Sequence, residues 1–244
     1  MALNRIYQPF KLRRFTIEQQ HNAMKVGTDA MLLGLLATTP HSSPRILEVG
    51  SGTSIVSLLL AQRYDKAFVR GVEIDPLSAS EGLQNVMRSP FANRVTVENL
   101  DFRKYSSNEL FNFVVSNPPY YSASHSTPDH RRNIARHSCE LSANDLFAGC
   151  IKLLKKDGKL TIIIPVNTLP YYVAAAREYG FTPCDITYVV PRVGVLPRRA
   201  VISFVIALPC AVACSFLTLE KERDSYTLEY RNLLKPFVLD RYLR

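Results

Sequence analysis

The chain has 244 residues, 47% of them hydrophobic, and its 30 lysines and arginines outnumber its 21 acidic residues to give a net charge of +9. This length fits one domain with short extensions, and the apolar content is sufficient for a substantial core. No apolar run approaches the roughly 18 residues that a membrane helix needs, and no apolar signal-peptide core follows the first residues. We therefore expect a cytoplasmic protein without a membrane partner.

The excess of positive charge favours a polyanionic partner, and nucleic acid is the first candidate. Five cysteines without a CxxC pair indicate reduced thiols instead of a disulfide framework or a zinc site. His125, His130 and His137 are close in sequence, but their spacings match no zinc-binding pattern. We therefore expect no metal in this protein.

From residue 45 onward, predicted strands alternate with predicted helices. The strands are predicted at residues 45–49, 68–74, 95–99, 111–116, 159–164, 185–190 and 201–208. The helices are predicted at residues 29–37, 54–63, from Pro76 onward, 142–156, 169–179 and 226–243. Thr28 or Asp29 is expected to cap the first helix, while Asp157-Gly158 and Gly180 are expected to end the fourth and fifth. Because helices separate most of the strands, the pattern predicts an α/β fold whose mostly parallel sheet is covered on both faces.

Neither end of the chain is long enough for an independent domain. We therefore expect residues 1–244 to form one domain, with residues 1–44 as an N-terminal extension and residues 216–244 as a C-terminal closing segment.

A glycine-containing loop follows the first of these strands, with the sequence Glu48-Val49-Gly50-Ser51-Gly52-Thr53-Ser54. Gly50 and Gly52 allow a tight turn and the close approach of a ligand. A dinucleotide fingerprint would have a third glycine near position 55, where this chain has Ile55, which weakens the case for NAD. Glu48 would also repel a pyrophosphate, whereas it suits a ligand that carries an ammonium group.

Two further carboxylates follow the second and third predicted strands. Glu73 lies 23 residues after Gly50, close to the position expected for a ribose-binding acid. Asp101 follows the third strand, where a carboxylate can accept a hydrogen bond from an adenine amine. Together with Glu48, these residues predict a site for an adenine, a ribose and a zwitterionic tail without phosphates. S-adenosylmethionine fits that description.

The tetrapeptide Asn117-Pro118-Pro119-Tyr120 follows the fourth predicted strand. Two prolines cannot extend a sheet ladder, so the strand must end there, at the edge of the sheet where α/β proteins bind ligands. The tetrapeptide places an amide and an aromatic ring beside each other, which suits an adenine or a carboxamide. A strand-ending turn without a function is the alternative for this segment.

These motifs together resemble those of the class I amino-methyltransferases, with Glu48-x-Gly50-x-Gly52, Glu73, Asp101 and the Asn-Pro-Pro-Tyr segment in the same order. Residues 24–34, with the sequence MKVGTDAMLLG, are similar to the signature of the tRNA1(Val) adenine-N6 methyltransferases, which modify adenosine 37 beside the anticodon. Three more stretches match that family: Arg131-x-x-x-Ala135-Arg136-His137, Pro197-Arg198-Arg199 and Tyr226-Thr227-x-Glu229-Tyr230. The chain departs from the family at Ser54, where the glycine loop usually has a further glycine. A serine fits there if its backbone is helical.

The resemblance implies a Rossmann-like class I methyltransferase fold, in which a seven-stranded, mostly parallel sheet has an antiparallel last strand. It also implies that the N-terminal extension helps to form the cofactor site. The implied cofactor-binding residues are Lys25, Val26, Gly27, Thr28, Glu48, Gly50, Gly52, Glu73 and Asp101. The implied catalytic residues are Asn117, Pro118, Pro119 and Tyr120.

The implied reaction is methylation of adenosine 37 in the anticodon loop of tRNA1(Val) by a monomeric enzyme. Arg131, Arg132 and Arg136 follow the catalytic motif and would meet RNA phosphates, although a solvated face paired with acidic residues is the alternative. Arg198 and Arg199 are weaker candidates for RNA contact. Two other functions stay open: methylation of a glutamine amide in a translation release factor, which uses the same Asn-Pro-Pro-Tyr motif, and RNA binding without catalysis.

Overall fold

The computed structural model describes residues 8–21, 25–119, 141–208 and 211–243. The strands in these ranges are β1 (Phe10–Lys11), β2 (Thr16–Ile17), β3 (Arg45–Val49), β4 (Phe68–Glu73), β5 (Val95–Asn99), β6 (Phe111–Ser116), β7 (Leu154–Pro165), β8 (Phe181–Arg192), β9 (Arg199–Ile206), β10 (Ala213–Glu222) and β11 (Ser225–Tyr226). The helices are α1 (Thr28–Leu36), α2 (Ile55–Arg63), α3 (Pro76–Met87), α4 (Ala143–Leu153), α5 (Leu169–Glu178) and α6 (Leu228–Leu234).

Nine of the strands in the described ranges form one sheet, in the order β5-β4-β3-β6-β7-β9-β8-β10-β11. Strands β3 to β7 are parallel to one another, whereas β9 is antiparallel to both β7 and β8. The seven predicted strands correspond to β3–β9, so the mostly parallel sheet with an antiparallel last strand is confirmed. After β3 the chain continues to β4 on one side, and β6 lies on the other. The loops after β3 and β6 therefore diverge and leave a crevice at the carboxyl edge of the sheet.

The sheet is larger than predicted because β10 and β11 extend it beyond β8. Strand β10 is parallel to β8, and β11 forms an antiparallel hairpin with β10. In β10, Leu217 is buried while the neighbouring Phe216 is exposed and stacks on Tyr188. One-sided burial of this kind gives a weak apolar pattern, and the sequence prediction missed the strand.

The predicted closing helix at residues 226–243 is wrong in extent. Tyr226 belongs to β11, and α6 covers only Leu228–Leu234 before a short 3-10 turn at Asp240–Tyr242. The Thr227 side chain accepts a hydrogen bond from the Tyr230 N–H and so fixes the start of the helix. Pro236 explains its early end, because proline cannot continue a helix.

The predicted helix at residues 142–156 is also shorter in the structure. Ser142 and Asp145 form a capping box at the start of α4, but the helix ends at Leu153. Leu154 already pairs with Phe111 in the sheet, and a register shift follows on β6 between Phe111 and Phe113. The segment Asp157-Gly158 therefore lies inside β7 and does not end a helix. By contrast, Gly180 has a φ of 78° just beyond α5, as predicted for a glycine that ends a helix.

Helices cover both faces of the sheet, as predicted, and a cluster of hydrophobic residues is buried on each face. On one face, α1, α2 and α6 pack over the sheet around buried residues such as Leu33, Leu59 and Leu234. On the other face, α4 and α5 pack over a second cluster that includes Phe147, Ala176 and Phe204. No helix in the described ranges has the length and apolarity that a membrane crossing requires.

The N-terminal segment is held in place by α3. The buried Glu81 carboxylate accepts from the backbone N–H groups of Gln20 and His21 at 2.6 and 3.0 Å. The buried Asn85 amide accepts from the Glu18 N–H and donates to the Glu18 carbonyl. These contacts fix the direction in which the chain enters α1. The helix begins after Gly27, without a side-chain cap, so the predicted capping by Thr28 or Asp29 is wrong.

Candidate active site

A cavity of about 310 Å³ opens at the carboxyl ends of β3, β4, β5 and β6. Most of the residues predicted for the cofactor and for catalysis line it: Lys25, Val26, Glu48, Gly50, Gly52, Glu73, Asp101, Asn117, Pro118 and Pro119. The parallel strands bring these residues together because the carboxyl ends of such strands meet at one edge of the sheet.

The glycine loop after β3 lies against the end of β4. The N–H groups of Gly50 and Ser51 donate to the Val72 carbonyl. Gly50 and Gly52 have φ values of 74° and 48°, a region that favours glycine. Helix α3 approaches the loop closely, since a Cβ on Gly82 would lie 2.5 Å from the Gly52 carbonyl oxygen. The loop is thus shaped by its own glycines and by a glycine of a neighbouring helix.

Ser54 adopts a left-handed conformation, with φ 63° and ψ 20°, at the N-cap of α2. The condition under which a serine fits here, a right-handed helical backbone, is therefore not met. Its side chain is fully buried, and its hydroxyl oxygen has no hydrogen-bond partner among the described residues. Both features explain why a glycine suits this position better.

Replacing Ser54 with glycine is expected to raise the free energy of unfolding by about 1 kcal/mol. The substitution removes the cost of a left-handed serine and of a buried, unpaired hydroxyl, although glycine adds entropy to the unfolded chain. Urea denaturation measures the change. Ser54→Ala is the matched control, because it removes the hydroxyl but keeps a Cβ at positive φ. A Ser54→Gly variant less stable than the wild type would contradict this explanation.

Glu48 is a buried acid on the wall of the cavity. It is 3% exposed, and its carboxylate accepts hydrogen bonds from the Ser57 hydroxyl and, at 2.8 Å, from the Ser57 N–H. Burial raises the pKa of Glu48 from 4.5 to about 8, with the hydrogen bonds from Ser57 acting in the opposite direction. The side chain is therefore mostly protonated at neutral pH when no cation faces it.

Glu73 connects the glycine loop to the end of β4. One carboxylate oxygen accepts from the Gly52 N–H at 2.8 Å, and the other accepts from the Asp75 N–H at 3.0 Å. The side chain also lines the cavity. Because an ionised carboxylate has about four lone-pair sites, it can accept ligand hydroxyls in addition to these two donors. Asp75, in turn, caps α3 through the Ser78 N–H.

Asp101 lies at the far end of the cavity and is paired with Arg103. The Arg103 guanidinium group contacts both carboxylate oxygens, with Nη2 at 2.6 Å from Oδ2 and Nε at 3.0 Å from Oδ1. These hydrogen bonds lower the pKa of Asp101, so it is ionised at neutral pH. Arg103 also lines the cavity, and the sequence analysis missed it. Its position two residues after the predicted Asp101 was the available signal.

The predicted segment from Lys25 to Thr28 is divided between two cavities. Lys25 and Val26 line the cavity described above, while Gly27 and Thr28 line a second cavity on which Val26 also lies. The Val26 N–H donates to the Gln19 side chain at 2.9 Å, which anchors the segment. At the start of α1, Asp29 accepts from the Arg199 guanidinium at 2.9 Å. Arg199, considered for RNA contact, is thus engaged with Asp29.

Asn117, Pro118 and Pro119 leave β6 at the mouth of the cavity. The preceding Ser116 hydroxyl donates to the Val49 carbonyl at 2.9 Å and ties the end of β6 to β3. The catalytic prediction for Tyr120 and the RNA-binding predictions for Arg131, Arg132 and Arg136 lie outside the described residues.

Apolar side chains that the sequence analysis did not single out form the wall near Asp101. They are Ile74, Leu100 and Phe102. Each one directly neighbours Glu73 or Asp101 in the sequence, and this adjacency was the only local signal that it belongs to the site. This wall suits the flat face of a base, with polar groups at its edge. In the described ranges, histidine, cysteine and acidic side chains do not cluster in groups of three or more as metal ligands would.

Comparison with known proteins identifies a family and close relatives. Residues 20–182 match the family described as the methyltransferase small domain. A Bacteroides fragilis protein named tRNA1(Val) (adenine(37)-N6)-methyltransferase is 40% identical over 237 residues, which cover 95% of this chain and 98% of that protein. A protein of the same name from Bacteroides thetaiotaomicron is 38% identical over 231 residues, or 94% of this chain and 97% of that protein.

Solved structures share the fold at low sequence identity. One described as a predicted O-methyltransferase from Agrobacterium tumefaciens has a TM-score of 0.67 and 20% identity, and the match covers 85% of this chain and 96% of that one. A methyltransferase from Pyrococcus furiosus has a TM-score of 0.56 and 20% identity, and the match covers 80% of this chain and 90% of that one. The sheet and its helices are thus those of class I S-adenosylmethionine-dependent methyltransferases.

Proposed function

The chain belongs to the methyltransferase small domain family, and we propose that it transfers a methyl group from S-adenosylmethionine to the exocyclic N6 of an adenosine in tRNA. One observation carries this proposal. The carboxylates of Glu48, Glu73 and Asp101 share a single cavity with the Asn117-Pro118 turn. The carboxylates suit the cofactor, and the turn suits a planar amine.

The residues of the cavity fit S-adenosylmethionine in charge and shape. The three acidic side chains can accept from an ammonium group, from ribose hydroxyls and from an adenine amine. We assign Glu48 to the ammonium group, Glu73 to the ribose and Asp101 to the adenine. Lys25 and Val26 would border the methionine end of the cofactor.

Gly50 and Gly52 would also border the methionine end, because the loop leaves room there for a close approach. A Cβ on Gly50 would meet no described atom within 4 Å, although its positive φ still favours glycine. Gly27 and Thr28 line the second cavity, and we assign them no contact with the cofactor.

Asn117 and Pro118 would hold the target amine in position for methyl transfer. The lone pair of an adenine N6 is delocalised into the ring, which makes this nitrogen a poor nucleophile. When bound, S-adenosylmethionine supplies an electrophilic methyl group. The Asn117 side-chain oxygen and the Pro118 carbonyl would accept from the two amine hydrogens and favour a more tetrahedral nitrogen. The two prolines keep the carbonyl in position, so catalysis rests on preorganised acceptors without a strong general base.

Tyr120 would stack on the target base after the base leaves its neighbours. Stacking on an aromatic ring contributes about 1–3 kcal/mol per base. Extrusion costs less from a single-stranded loop than from a duplex, which favours an anticodon loop as the substrate. Within tRNA we propose adenosine 37 of tRNA1(Val), the target in the names of the relatives. We further propose that the enzyme acts as a monomer in the cytoplasm.

Methyl transfer to total tRNA tests the function. Purified protein, S-adenosylmethionine with a labelled methyl group and total tRNA are incubated, and the tRNA is digested for nucleoside mass analysis. We expect N6-methyladenosine beside the valine anticodon. Binding of the cofactor without incorporation into any tRNA would reject the proposal. A translation release factor, assayed for glutamine methylation, would then be the next substrate to test.

Replacement of Arg131, Arg132 and Arg136 by alanine is expected to weaken tRNA binding and flatten its salt dependence. Each phosphate contact contributes about 0.7 to the slope of log K against log salt for single strands, so the slope should change by about 2 if all three bind phosphates. Filter binding over a salt series measures the slope. Alanine at Lys152, Lys155 and Lys156, at the opposite edge of the sheet, is the matched control. An unchanged slope would show that these arginines do not contact RNA phosphates.

A further inference from the structure

A second cavity of about 310 Å³ lies beside the active-site cavity. Val26 lines both cavities, so the segment from Val26 to Thr28 separates them. Four aromatic side chains line the second cavity: Phe10, Tyr226, Tyr230 and Tyr242. They come from the N-terminal hairpin and from the C-terminal segment, which are far apart in sequence.

The aromatic rings form two contacting pairs. Phe10 and Tyr242 are stacked, with ring centroids 5.8 Å apart and an interplanar angle of 22°. Tyr226 and Tyr230 meet edge to face at 4.9 Å and 73°. Tyr230 is 5% exposed, whereas Phe10, Tyr226 and Tyr242 are partly exposed. The cavity therefore offers flat apolar surfaces that a planar ring can contact.

The floor of the cavity is apolar and its rim is polar. Leu234 and Val238 are buried at the floor, while Gly27, Thr28 and Asp224 are exposed. A carboxylate can accept several hydrogen bonds, so Asp224 can receive a donor from the edge of a ring that enters the cavity. An apolar pocket with a few polar groups at its edge has the character of a ligand site.

Charged residues of both signs lie next to this rim, where β10 turns into β11. Lys221, near the end of β10, and Arg223, in the turn, are exposed, and so are Glu222 and Asp224. The two positive and two negative charges do not select a phosphate, so the aromatic rings identify the occupant. Stacking on aromatic side chains is how proteins hold unpaired bases of single-stranded RNA.

We propose that the second cavity binds an unpaired base of the RNA that flanks the target adenosine. This inference rests on the proposed function, since it places a second base of the same substrate. Turning the target base into the active site removes it from the stack of its neighbours. A neighbouring base that enters an aromatic cavity regains stacking, which stabilises the opened loop and adds selectivity for the sequence around the target.

A single-tryptophan variant tests this binding directly. The chain has no tryptophan, so Tyr242→Trp places one fluorophore in the cavity while it keeps an aromatic ring there. Phe68→Trp is the control, because Phe68 is 60% exposed at the amino end of β4, on the opposite edge of the sheet. An anticodon stem-loop of tRNA1(Val) should quench the emission of Tyr242→Trp but leave that of Phe68→Trp unchanged. A stem-loop that lacks the flanking base should not quench either variant.

A kinetic comparison gives a second readout. Tyr242→Leu should raise the KM for tRNA about 5- to 150-fold, as expected for the loss of one stacked base, with the KM for S-adenosylmethionine unchanged. Phe68→Leu should change neither constant. The melting temperature of each variant is measured alongside, and Tyr242→Trp should restore the KM for tRNA if the aromatic ring is what matters.

The outcomes separate this inference from the function on which it rests. Quenching that depends on the flanking base supports the second site. If Tyr242→Trp methylates tRNA normally but its emission does not change with RNA, the second site is rejected and the methyltransferase function stands. If the wild type binds S-adenosylmethionine but neither binds nor methylates tRNA, both are rejected.

Discussion

Replacement of Asn117 by alanine is expected to lower kcat for methyl transfer by about 10²–10³-fold, or about 3–4 kcal/mol of transition-state stabilisation. The side chain stands at the mouth of the cavity, at the end of a strand that Ser116 ties to β3. Without its oxygen, only the Pro118 carbonyl would hold the target amine. The affinity for S-adenosylmethionine should be nearly unchanged, because the carboxylates assigned to the cofactor come from other strands. Single-turnover kinetics and calorimetry measure the two effects.

Two further variants sharpen this test. Asn117→Asp keeps an oxygen acceptor and should retain more activity than Asn117→Ala. Asn108→Ala changes an exposed asparagine before β6 and should behave as the wild type. An Asn117→Ala enzyme with wild-type turnover would show that the side chain does not hold the amine. A large loss of cofactor affinity would instead assign Asn117 to cofactor binding.

Glu48→Gln is expected to stabilise the ligand-free protein at high pH. Burial raises the pKa of Glu48 from 4.5 to about 8, so the folded state holds the proton more tightly than the unfolded state does. The stability that this group contributes is complete below pH 4.5 and is lost as the pH rises through about 8. The neutral glutamine avoids that loss, which amounts to roughly 3–5 kcal/mol.

Urea denaturation between pH 5 and pH 9 measures this difference. The stability of Glu48→Gln relative to the wild type should increase with pH and level off above the raised pKa. Glu178→Gln, at an exposed acid on α5, should show a constant difference over the same range. A constant difference for Glu48→Gln would mean that Glu48 is ionised in the folded protein at neutral pH.

The raised pKa of Glu48 also predicts that the protein releases a proton when the cofactor binds. An ammonium group placed against Glu48 favours the carboxylate, so binding at pH 7 should release about one proton from the wild type. Calorimetry in two buffers of different ionisation enthalpy detects this proton. Glu48→Gln should release none and should bind the cofactor more weakly. Equal proton release by both proteins would place the ammonium group elsewhere.

The central strands β3 and β6 were predictable because nearly all of their residues are buried. The predicted strands at residues 45–49 and 111–116 agree with the structure at both ends, and so does the partly exposed edge strand at residues 95–99. Continuous apolar runs bounded by turn residues carry this information locally. Strand β10 was missed because only one of its faces is buried. The helix before β7 was predicted too long, since only pairing with Phe111 shows that Leu154 belongs to the sheet.

The sequence by itself determined the chemistry of the site, because it specifies which side chains follow each parallel strand. An acid at the end of β4, an acid after β5 and an amide after β6 must meet at one edge of the sheet. Only the tertiary structure decided what those groups contact. Glu73 accepts from Gly52, and Arg103 donates to both oxygens of Asp101.

The tertiary structure also decided where the N-terminal segment lies. Glu81 accepts from the Gln20 N–H, 61 residues away in sequence, and Asn85 holds Glu18 from 67 residues away. These contacts direct Val26 to the wall between the cavities and Gly27 to the second one. Local sequence patterns encode which elements form, whereas hydrogen bonds between residues so far apart depend on how those elements pack in three dimensions.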